Sequence, residues 1–593
     1  MKKYLLLIIC LFLLTPSTTT KAQETYKEII SQYTVKLQQD VYTQYTTGFT
    51  YSDAMLFSDA TQFSSDITKI SIALAAGAYN QTNVSDLLDE MDFSSKEFYN
   101  YNRISTLYDN DFVAYSIATK EITFNGENYI IYCIPIRGTS ESAEWFSNFN
   151  LGTNGNHTGF YLAANEVMSQ LESKVVNDGY NSNNRILLMT GHSRGAAVSN
   201  IITGIYTNQA INDDNTLFTQ NHIFGYTFAC PSVSKNANTT YTNIYNFNNI
   251  GDIIPELPRE QWGYKRYGQT KILDLNHYDN VAHRFNDVTS SVFSSPKSTT
   301  AFFDEFSQII PSESEYYSES NQMLFKTLAY FLGGYKDVSG DEFLKYLGIN
   351  DDGWLISYIG NYMSPSNMSQ LISILDSISG PSKARGLFDD WFSKLEQMQN
   401  YYETAQKLSE VIKKASRLLN AGEFDENKGT LVAHKVETYV LWVNSEYYGY
   451  EGWKGNPSLN EVTIPDDITS ISADCFTSCT NLETVVLPNS ITHISDTAFK
   501  QLDSKKLKFF GDEDHYNKSR IQELGFKYNP SDIIIGDVNE DDIVNLKDSI
   551  LLGRYNAGWD IEINLDAADL DQNGLVNLKD SILLDRYNAG WQK

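Results

Sequence analysis

The stretch TGHSRGAAVSN, residues 190–200, places a serine between two glycines directly after the apolar run from Arg185 to Met189. A strand that ends in Gly-x-Ser-x-Gly and continues into a helix of small residues can expose the serine hydroxyl at a tight turn. Such a hydroxyl becomes a nucleophile when a histidine takes its proton, a carboxylate orients that histidine, and N–H groups stabilise the oxyanion. Ser193 is therefore a candidate nucleophile, and the rest of the chain has to supply its partners.

A carboxylate and a histidine follow Ser193 in the chain order of an α/β-hydrolase, which is serine, aspartate and histidine. Asp252 comes directly after the strand-like segment TNIYNFNN, where a catalytic aspartate would lie. Of the eight histidines, only His277 and His283 lie between Asp252 and residue 299. We favour His283 as the base because it opens the helix-like segment HRFNDVTSSVF, from which a ring can reach the nucleophile. His277 stays an alternative, and His434 a more distant one.

Residues 45–290 resemble the class 3 lipase family of α/β-hydrolases. The resemblance rests on four motifs in the family's order: Arg137-Gly138-Thr139 with Trp145 after it, His157-x-Gly159-Phe160, the Gly-His-Ser-Arg-Gly turn, and Asn249-Ile250-Gly251-Asp252-Ile253-Ile254-Pro255. It implies Ser193 as the nucleophile, Asp252 as the acid and a following histidine as the base. It also implies an oxyanion hole made by the backbone N–H groups of Thr139 and Arg194, with His157 and His192 as structural residues.

Two departures from the family pattern bear on the substrate. The family commonly continues the turn with Leu-Gly-Gly, whereas this chain has Arg194-Gly195-Ala196. The turn stays sterically possible because Arg194 contributes through its backbone. The segment in which such lipases carry an apolar lid reads EWFSNFNLGTNGNHTGF here, residues 144–160, and is rich in Asn and Gly. A soluble ester therefore fits this sequence better than a fat droplet.

The acidic C-terminus carries a second set of residues whose spacing suggests chemistry. The stretches NLKDSILLGRYNAGW from 545 and NLKDSILLDRYNAGW from 577 each overlap the end of a twelve-residue loop rich in Asp and Asn. Positions 1, 3, 5, 7, 9 and 12 of such a loop wrap oxygen ligands around Ca²⁺, with position 7 using its backbone carbonyl. Position 6 needs a sharp turn, which Gly574 allows and Asp542 tolerates. The predicted ligands of two Ca²⁺ ions are Asp537, Asn539, Asp541, Ile543, Asn545 and Asp548, and Asp569, Asp571, Asn573, Leu575, Asn577 and Asp580.

Two calcium loops, each followed by one helix, resemble a type I dockerin module. Dockerins join secreted catalytic chains to cohesin modules of a scaffoldin, so the resemblance implies a cohesin partner and a place in a cellulosome. In that family, positions 10 and 11 of each loop and a residue further along each helix face the cohesin. The residues at these places are Leu546, Lys547, Arg554, Leu578, Lys579 and Arg586. The near-identical copies would allow binding in either of two orientations.

The order of predicted elements indicates the scaffold that positions these residues. Alternating helical and strand-like segments are typical of an α/β fold with a mainly parallel sheet. The predicted parts are a signal peptide over 1–22, an α/β-hydrolase domain over 23–299, a helical cap or packing segment over 300–435, leucine-rich repeats over 436–530, and a small all-α dockerin over 531–593.

The repeats are predicted from a fixed period. Leu459, Ile464, Ile471 and Phe476 recur 23 residues later as Leu482, Leu487, Ile494 and Phe499. That period is typical of a leucine-rich-repeat solenoid, in which each unit buries its apolar face against the next. The sequence of these repeats resembles the leucine-rich repeats of bacterial surface proteins, with about two units and a degenerate third. Such a short array can serve as a spacer or as a binding surface.

Composition and the N-terminus limit the classes of function. A net charge of −29 argues against binding to nucleic acid, which needs clustered Lys and Arg. Lys2 and Lys3 precede a short apolar run and a cleavage site near Ala22, so export is expected. No later segment is apolar enough to predict a membrane span. Cys133 and Cys230 lie in strand-like segments and are expected to be buried free thiols.

Together these features predict a secreted, extracellular serine ester hydrolase of the lipase or carboxylesterase type, bound to a cellulosome through a calcium-dependent dockerin. Its substrates would be acyl esters of plant polysaccharide or lipid. Two alternatives remain open. One is a non-catalytic adhesion component that binds through its leucine-rich repeats, and the other is a serine peptidase that uses the same three catalytic groups.

Overall fold

The computed structural model describes residues 26–589 with gaps. The gaps are residues 39–40, 141–142, 274–276, 290–291, 294–298, 333–339, 348–394, 424–428, 513–515, 531–534, 540, 542, 572 and 574. The predicted signal peptide lies outside the described residues, as do Asp542 and Gly574, position 6 of the two predicted calcium loops.

A mixed sheet forms the centre of the hydrolase region, and seven of its strands fall within the described residues. After a hairpin of β1 (Lys27–Gln38) and β2 (Val41–Tyr51), the sheet contains β3 (Ser95–Tyr99), β4 (Tyr115–Phe124), β5 (Glu127–Ile136), β6 (Arg185–His192), β7 (Ile223–Phe228), β8 (Ile244–Asn249) and β9 (Gln269–Leu273). These strands lie side by side in chain order, antiparallel from β3 to β5 and parallel from β5 to β9. The carboxyl ends of the parallel strands therefore meet at one edge, where ligand sites of α/β sheets lie.

Helices cover both faces of this sheet. They are α1 (Ser65–Gly77), α2 (Gln81–Glu90), α3 (Glu144–Asn148), α4 (Thr158–Val175), α5 (Arg194–Asn212) and α6 (Tyr278–Thr289). Successive residues of a strand point to opposite faces. Ile131 and Cys133 of β5 accordingly share a cluster with α1, whereas Tyr132 and Ile134 share one with α4 and α5.

A group of helices follows the sheet and then the chain returns to it. The helices are α7 (Thr300–Ile309), α8 (Glu313–Tyr316), α9 (Glu319–Leu332), α10 (Gly340–Tyr346), α11 (Leu395–Ala421), α12 (Gly429–His434) and α13 (Val436–Glu446). We call α7 to α11 the cap. Val432, Tyr439 and Trp442, from α12 and α13, are buried in the same cluster as Ile70 of α1 and Phe247 of β8. The closing segment 429–446 thus packs in the hydrolase core, although the predicted parts divide it between the helical segment and the repeats.

The repeats form two narrow parallel sheets. Their elements are β10 (Glu461–Thr463), β11 (Ser470–Ile471), β12 (Thr484–Val486), β13 (His493–Ile494), β14 (Lys508–Gly511), α14 (Tyr516–Glu523) and β15 (Lys527–Pro530). Glu461 pairs with Thr484 and Ser470 with His493, which confirms the 23-residue period. The C-terminal module follows with α15 (Leu546–Asn556), α16 (Leu565–Ala568) and α17 (Leu578–Asn588).

The repeats pack directly on the hydrolase core. Lys69 of α1 is 1% exposed, and its Nζ lies 2.9 Å from Asp66 Oδ1 while donating to the backbone oxygen of Ser470 at 3.0 Å. Thr469 Oγ1 donates to Asp66 Oδ2 at 2.6 Å. Hydrogen bonds from a buried ion pair within α1 therefore join this helix to the first repeats.

Cys133, Cys230, Cys475 and Cys479 are buried free thiols, as expected for the first two. Among the described helices, none is both long and apolar enough to cross a membrane.

Candidate active site

Ser193 lies at a strained turn between β6 and α5. Its φ of 57° and ψ of −123° fall in a region that ordinary residues avoid, at a typical cost of about 1–3 kcal/mol. A Cβ on Gly191 would lie 2.5 Å from the carbonyl carbon of Gly195, and a Cβ on Gly195 would lie 2.3 Å from the oxygen of Ile136. Only glycines fit at these two positions, so the sequence pattern Gly-x-Ser-x-Gly follows from the packing of strand against helix.

His434 and Asp252 complete a hydrogen-bonded relay with Ser193. His434 Nε2 lies 2.8 Å from Ser193 Oγ, and His434 Nδ1 lies 2.7 Å from Asp252 Oδ2. Because a carboxylate only accepts, Nδ1 carries the hydrogen and Nε2 is left to accept from the serine hydroxyl. The Asp252 side chain is 0% exposed. Within this geometry Ser193 can lose its proton to His434 while Asp252 holds the ring.

The closing segment is held against the loop after β8. Asn249 Nδ2 donates to the oxygen of Ala433 at 3.0 Å, one residue before His434. Tyr439 Oη donates to Asp252 Oδ2 at 2.9 Å and accepts from the backbone N–H of Asn249 at 3.0 Å. The orientation of His434 thus depends on contacts between residues that are more than 180 positions apart in the chain.

The structure does not bring the predicted base, His283, to Ser193. His283 lies in the middle of α6 rather than at its start, and its Nε2 is 3.4 Å from Asp287 Oδ2. The alternative, His277, has its Nε2 2.8 Å from Glu446 Oε2. The side of α6 that carries Asn280 and Arg284 binds Gly452 and Glu451 at the start of the repeats. The imidazole next to Ser193 comes instead from His434.

The sequence favours His434 least among the candidate bases because it lies beyond residue 299, outside the predicted hydrolase domain. Its sequence context, GTLVAHKVETYVLW, is the signal that could have pointed to it, because this histidine lies within an apolar stretch. A polar residue in such a stretch is buried only with a partner, and the partner here is Asp252.

The predicted oxyanion residues flank Ser193. Arg194 is the first residue of α5, so its N–H belongs to the open N-terminus of that helix. Thr139 follows Gly138, where a Cβ would lie 2.8 Å from the oxygen of His192. The loop after β5 is therefore pressed against the turn that carries the nucleophile.

Two further histidines near Ser193 are buried. Burial, together with the neighbouring His434, holds the pKa of His192 well below its usual range, and its Nδ1 lies 2.8 Å from Tyr79 Oη. Burial lowers the pKa of His157 to about 3, and its Nε2 lies 3.0 Å from the oxygen of Asn148. Both rings are neutral at pH 7, as expected for structural residues, so His434 does not face a second imidazolium.

An apolar cavity opens beside Ser193 under the cap. Its walls combine residues of the hydrolase core with residues of α7, α9 and α11. The apolar lining includes Phe149, Leu151, Ile253 and Leu257 from the core, and Phe302, Phe306, Phe325, Leu328 and Leu418 from the cap. The cap is thus more than a packing segment, since residues of α7, α9 and α11 form part of the wall of the cavity beside Ser193.

In the C-terminal module, carboxylates of the second predicted calcium loop converge. Asp569, Asp571 and Asp580 each place an oxygen within 4.8 Å of the others. In the first loop Asp537 and Asp548 are buried, and Asp548 Oδ1 accepts from the N–H of Val538 at 3.0 Å. The converging carboxylates at positions 1, 3 and 12 of the second loop, with Asp569 and Asp580 buried and Asp571 half-buried, are a donor set that fits Ca²⁺.

The other predicted ligands lie at the same loops. Asn545 and Asn577 cap α15 and α17. The remaining five are Asn539, which is half-buried, and Asp541, Ile543, Asn573 and Leu575, which are exposed. The predicted cohesin-facing residues, Leu546, Lys547, Arg554, Leu578, Lys579 and Arg586, are all exposed.

Comparison with known proteins shows that two parts of this chain match known families. Residues 133–262 match the family described as lipase (class 3), and residues 445–531 match the BspA type leucine rich repeat region in six copies. The chain therefore contains a class 3 lipase domain and BspA-type repeats. The lipase domain supports the interpretation that the protein hydrolyses esters. A search of curated proteins gave no match.

Solved structures of fungal lipases are distant neighbours. The Rhizomucor miehei lipase propeptide complex is 20% identical, with 35% of this chain and 67% of that chain covered and a TM-score of 0.25. The lipase from Rhizopus microsporus var. chinensis is 17% identical, with 38% and 76% covered and a TM-score of 0.24. Lipase II from Rhizopus niveus is 16% identical, with 36% and 78% covered and a TM-score of 0.23.

Proposed function

We propose that this chain is a serine hydrolase that cleaves carboxylic esters with an apolar acyl group. The observation that carries the proposal is the relay in which Ser193 Oγ, His434 and Asp252 are joined by contacts of 2.8 and 2.7 Å. A class 3 lipase domain over residues 133–262 supports the same class of reaction.

In the proposed mechanism Ser193 Oγ attacks the ester carbonyl while its proton passes to His434 Nε2. The bond from Oγ to carbon forms, and the carbonyl oxygen becomes an oxyanion facing the N–H groups of Thr139 and Arg194. The C–O bond to the alcohol then breaks, and His434 gives its proton to the leaving oxygen. Water then attacks the acyl carbon while the same nitrogen takes its proton. The bond from Ser193 Oγ to the acyl carbon breaks, the acid leaves, and the proton returns to Oγ.

The apolar cavity supports the choice of acyl group. The sequence alone favours a soluble ester because residues 144–160 are rich in Asn and Gly, but Phe149 and Leu151 of this segment line the cavity together with apolar residues of the cap. Each methylene buried there contributes about 0.8 kcal/mol of binding free energy. An acyl chain of several carbons therefore suits the cavity better than an acetyl group.

Hydrolysis of p-nitrophenyl esters from acetate to laurate tests the proposal. We expect kcat/KM to rise at least about tenfold from acetate to octanoate, and Ser193→Ala to lower kcat about 10⁴-fold or more. Ser199→Ala is the matched control, because Ser199 is a buried serine further along α5. An unchanged rate in Ser193→Ala, or no hydrolysis by the parent protein, would contradict the proposal.

The same assay separates the alternatives. A serine peptidase would cleave peptides faster than any of these esters. A non-catalytic adhesion component would leave all of them intact and bind through its repeats. The predominantly apolar lining of the cavity argues for the ester, since a peptide needs polar partners for its backbone groups.

We also propose that the chain is exported and attached through its C-terminal module. Asp569, Asp571 and Asp580 of the second loop, and Asp537, Asp541 and Asp548 of the first loop, would hold two Ca²⁺ ions, which neutralise the repulsion between the carboxylates. The paired exposed residues Leu546 and Leu578 support a cohesin-type partner.

A further inference from the structure

The side chain of Arg194 is buried beside Ser193, and its surroundings are unusual for a charged group. It is 1% exposed. Nη2 donates to the backbone oxygens of Asn110 at 3.3 Å and Phe112 at 3.2 Å, and Nη1 donates to Asn148 Oδ1 at 3.0 Å. These acceptors are neutral oxygens. Burial lowers the pKa of Arg194 and the charges of Glu144 and Asp111 raise it, so neutral acceptors hold the guanidinium with two carboxylates nearby.

Asn148 connects this guanidinium to the predicted oxyanion hole. An arginine only donates, so Asn148 must turn Oδ1 toward it and its amide Nδ2 the other way. Nδ2 then donates to Thr139 Oγ1 at 2.9 Å. Since Thr139 Oγ1 accepts this bond, its own hydroxyl hydrogen remains available as a donor.

Other contacts hold the two ends of this chain of hydrogen bonds. The backbone oxygen of Asn148 lies 3.0 Å from His157 Nε2, which fixes the last residue of α3. Ser140, next to Thr139, donates its N–H to Glu144 Oε2 at 2.7 Å, and Glu144 pairs with Arg137 at 2.8 Å. The side chains of Arg194 and Asn148 are therefore what sets the direction of the Thr139 hydroxyl within an otherwise fixed loop.

We propose that the Arg194 side chain is a positioning residue of the oxyanion hole: it orients the Asn148 amide, which orients the Thr139 hydroxyl toward the oxyanion. This role is additional to that of the Arg194 backbone N–H, and it rests on the proposed ester hydrolysis. A leucine, common at this position in class 3 lipases, could not orient Asn148.

The test compares Arg194→Leu, Arg194→Lys and Asn148→Ala on p-nitrophenyl butyrate. We expect Arg194→Leu and Asn148→Ala each to lower kcat about 10- to 100-fold, with KM changing less than about threefold, because the contact matters in the transition state. Arg194→Lys should restore part of the loss. Arg185→Lys is the control, since Arg185 is also buried but pairs with Asp178 at the opposite end of β6 from Ser193.

A double variant and a structure decide whether the effect is positional. Arg194→Leu combined with Thr139→Val should lower kcat little more than the worse single change, because both act through one hydroxyl. Independent, multiplicative losses would overturn the proposal. So would a crystal structure of Arg194→Leu in which Asn148 Nδ2 still donates to Thr139 Oγ1. That structural readout holds even if the parent protein hydrolyses no ester, which would refute the proposed function separately.

Discussion

Asp252 shows how one buried carboxylate can fix the state of a neighbouring histidine. Besides His434 and Tyr439 on Oδ2, it accepts the N–H of Ile254 on Oδ1 at 2.9 Å. Burial and the charge of Asp252 raise the pKa of Tyr439 well above its usual range, so the tyrosine stays protonated and donates. His434 must then keep its hydrogen on Nδ1, which leaves Nε2 ready to take the proton of Ser193.

The first prediction separates the two candidate bases. His434→Ala should lower kcat on p-nitrophenyl esters about 10⁴-fold or more, because it removes the proton acceptor of Ser193. His283→Ala should change kcat less than about twofold, because its ring lies beside Asp287 on α6. Steady-state kinetics of both variants decide the matter. Full activity in His434→Ala with loss in His283→Ala would reverse the assignment.

Two of the three residues of the candidate active site could be predicted from the sequence, because each lies in a recognisable local sequence pattern. Ser193 follows from the glycines that the turn requires, and Asp252 from its place after a strand. The histidine could not be found in this way, because an imidazole needs no turn or fixed spacing of its own. Its position depends on where the closing segment returns, more than 180 residues after Asp252.

Among the elements, α1 carries the connection between the sheet and the repeats. Every residue of α1 is buried, including Asp66 and Lys69. Burial alone would raise the pKa of Asp66, but the charge of Lys69 and hydrogen bonds from Ser470 and Thr469 outweigh it, so the pKa is lowered. The folded state therefore favours the ionised carboxylate.

The second prediction follows from that lowered pKa. Ionised Asp66 stabilises the folded protein above the unfolded pKa of about 4, and this contribution is lost as the pH falls through the folded pKa. Asp66→Asn should lower the free energy of unfolding by about 3 kcal/mol at pH 7, and the deficit should shrink below about pH 4. Urea denaturation at both pH values measures it.

An exposed pair is the control for that measurement. Asp109 lies 2.7 Å from Arg103 with 55% of its side chain exposed, so Asp109→Asn should cost less than about 1 kcal/mol at any pH. A deficit in Asp66→Asn that is the same at pH 7 and at low pH would show that packing, not charge, holds α1 to the repeats.

Elements defined by local periodicity were predicted well. The sequences YIIYCIPI, RILLMT and HIFGYTFA, rich in branched and aromatic residues, overlap β5, β6 and β7, and ITKISIALAAGAYN, with its helical apolar spacing, overlaps most of α1. The contribution of the cap to the cavity was not predicted, because the apolar spacing of a helix such as α9 shows that it packs but not against what.

In the whole molecule, the hydrolase core and the repeats share one apolar interior. A single cluster extends from Ile29 through Trp442 to Tyr528, whereas the C-terminal module has its own small cluster around Leu552 and Leu584. Lys527 Nζ lies 3.7 Å from Asp569 Oδ2 across the boundary between them. The module can therefore change its metal state with little effect on the core.

The third prediction uses this separation. Asp537→Ala combined with Asp569→Ala removes position 1 of both loops, so Ca²⁺ titration should fall from about two ions per chain to none, and capture by cohesin should be lost. Asp560→Ala with Glu562→Ala, two exposed acids outside the loops, should keep both. Capture that persists in chelator would refute metal-dependent docking. Ester hydrolysis should change less than about twofold in the same variant, because the module's apolar cluster is separate from the core. A parallel loss of hydrolysis would show that the module also stabilises the repeats through Lys527.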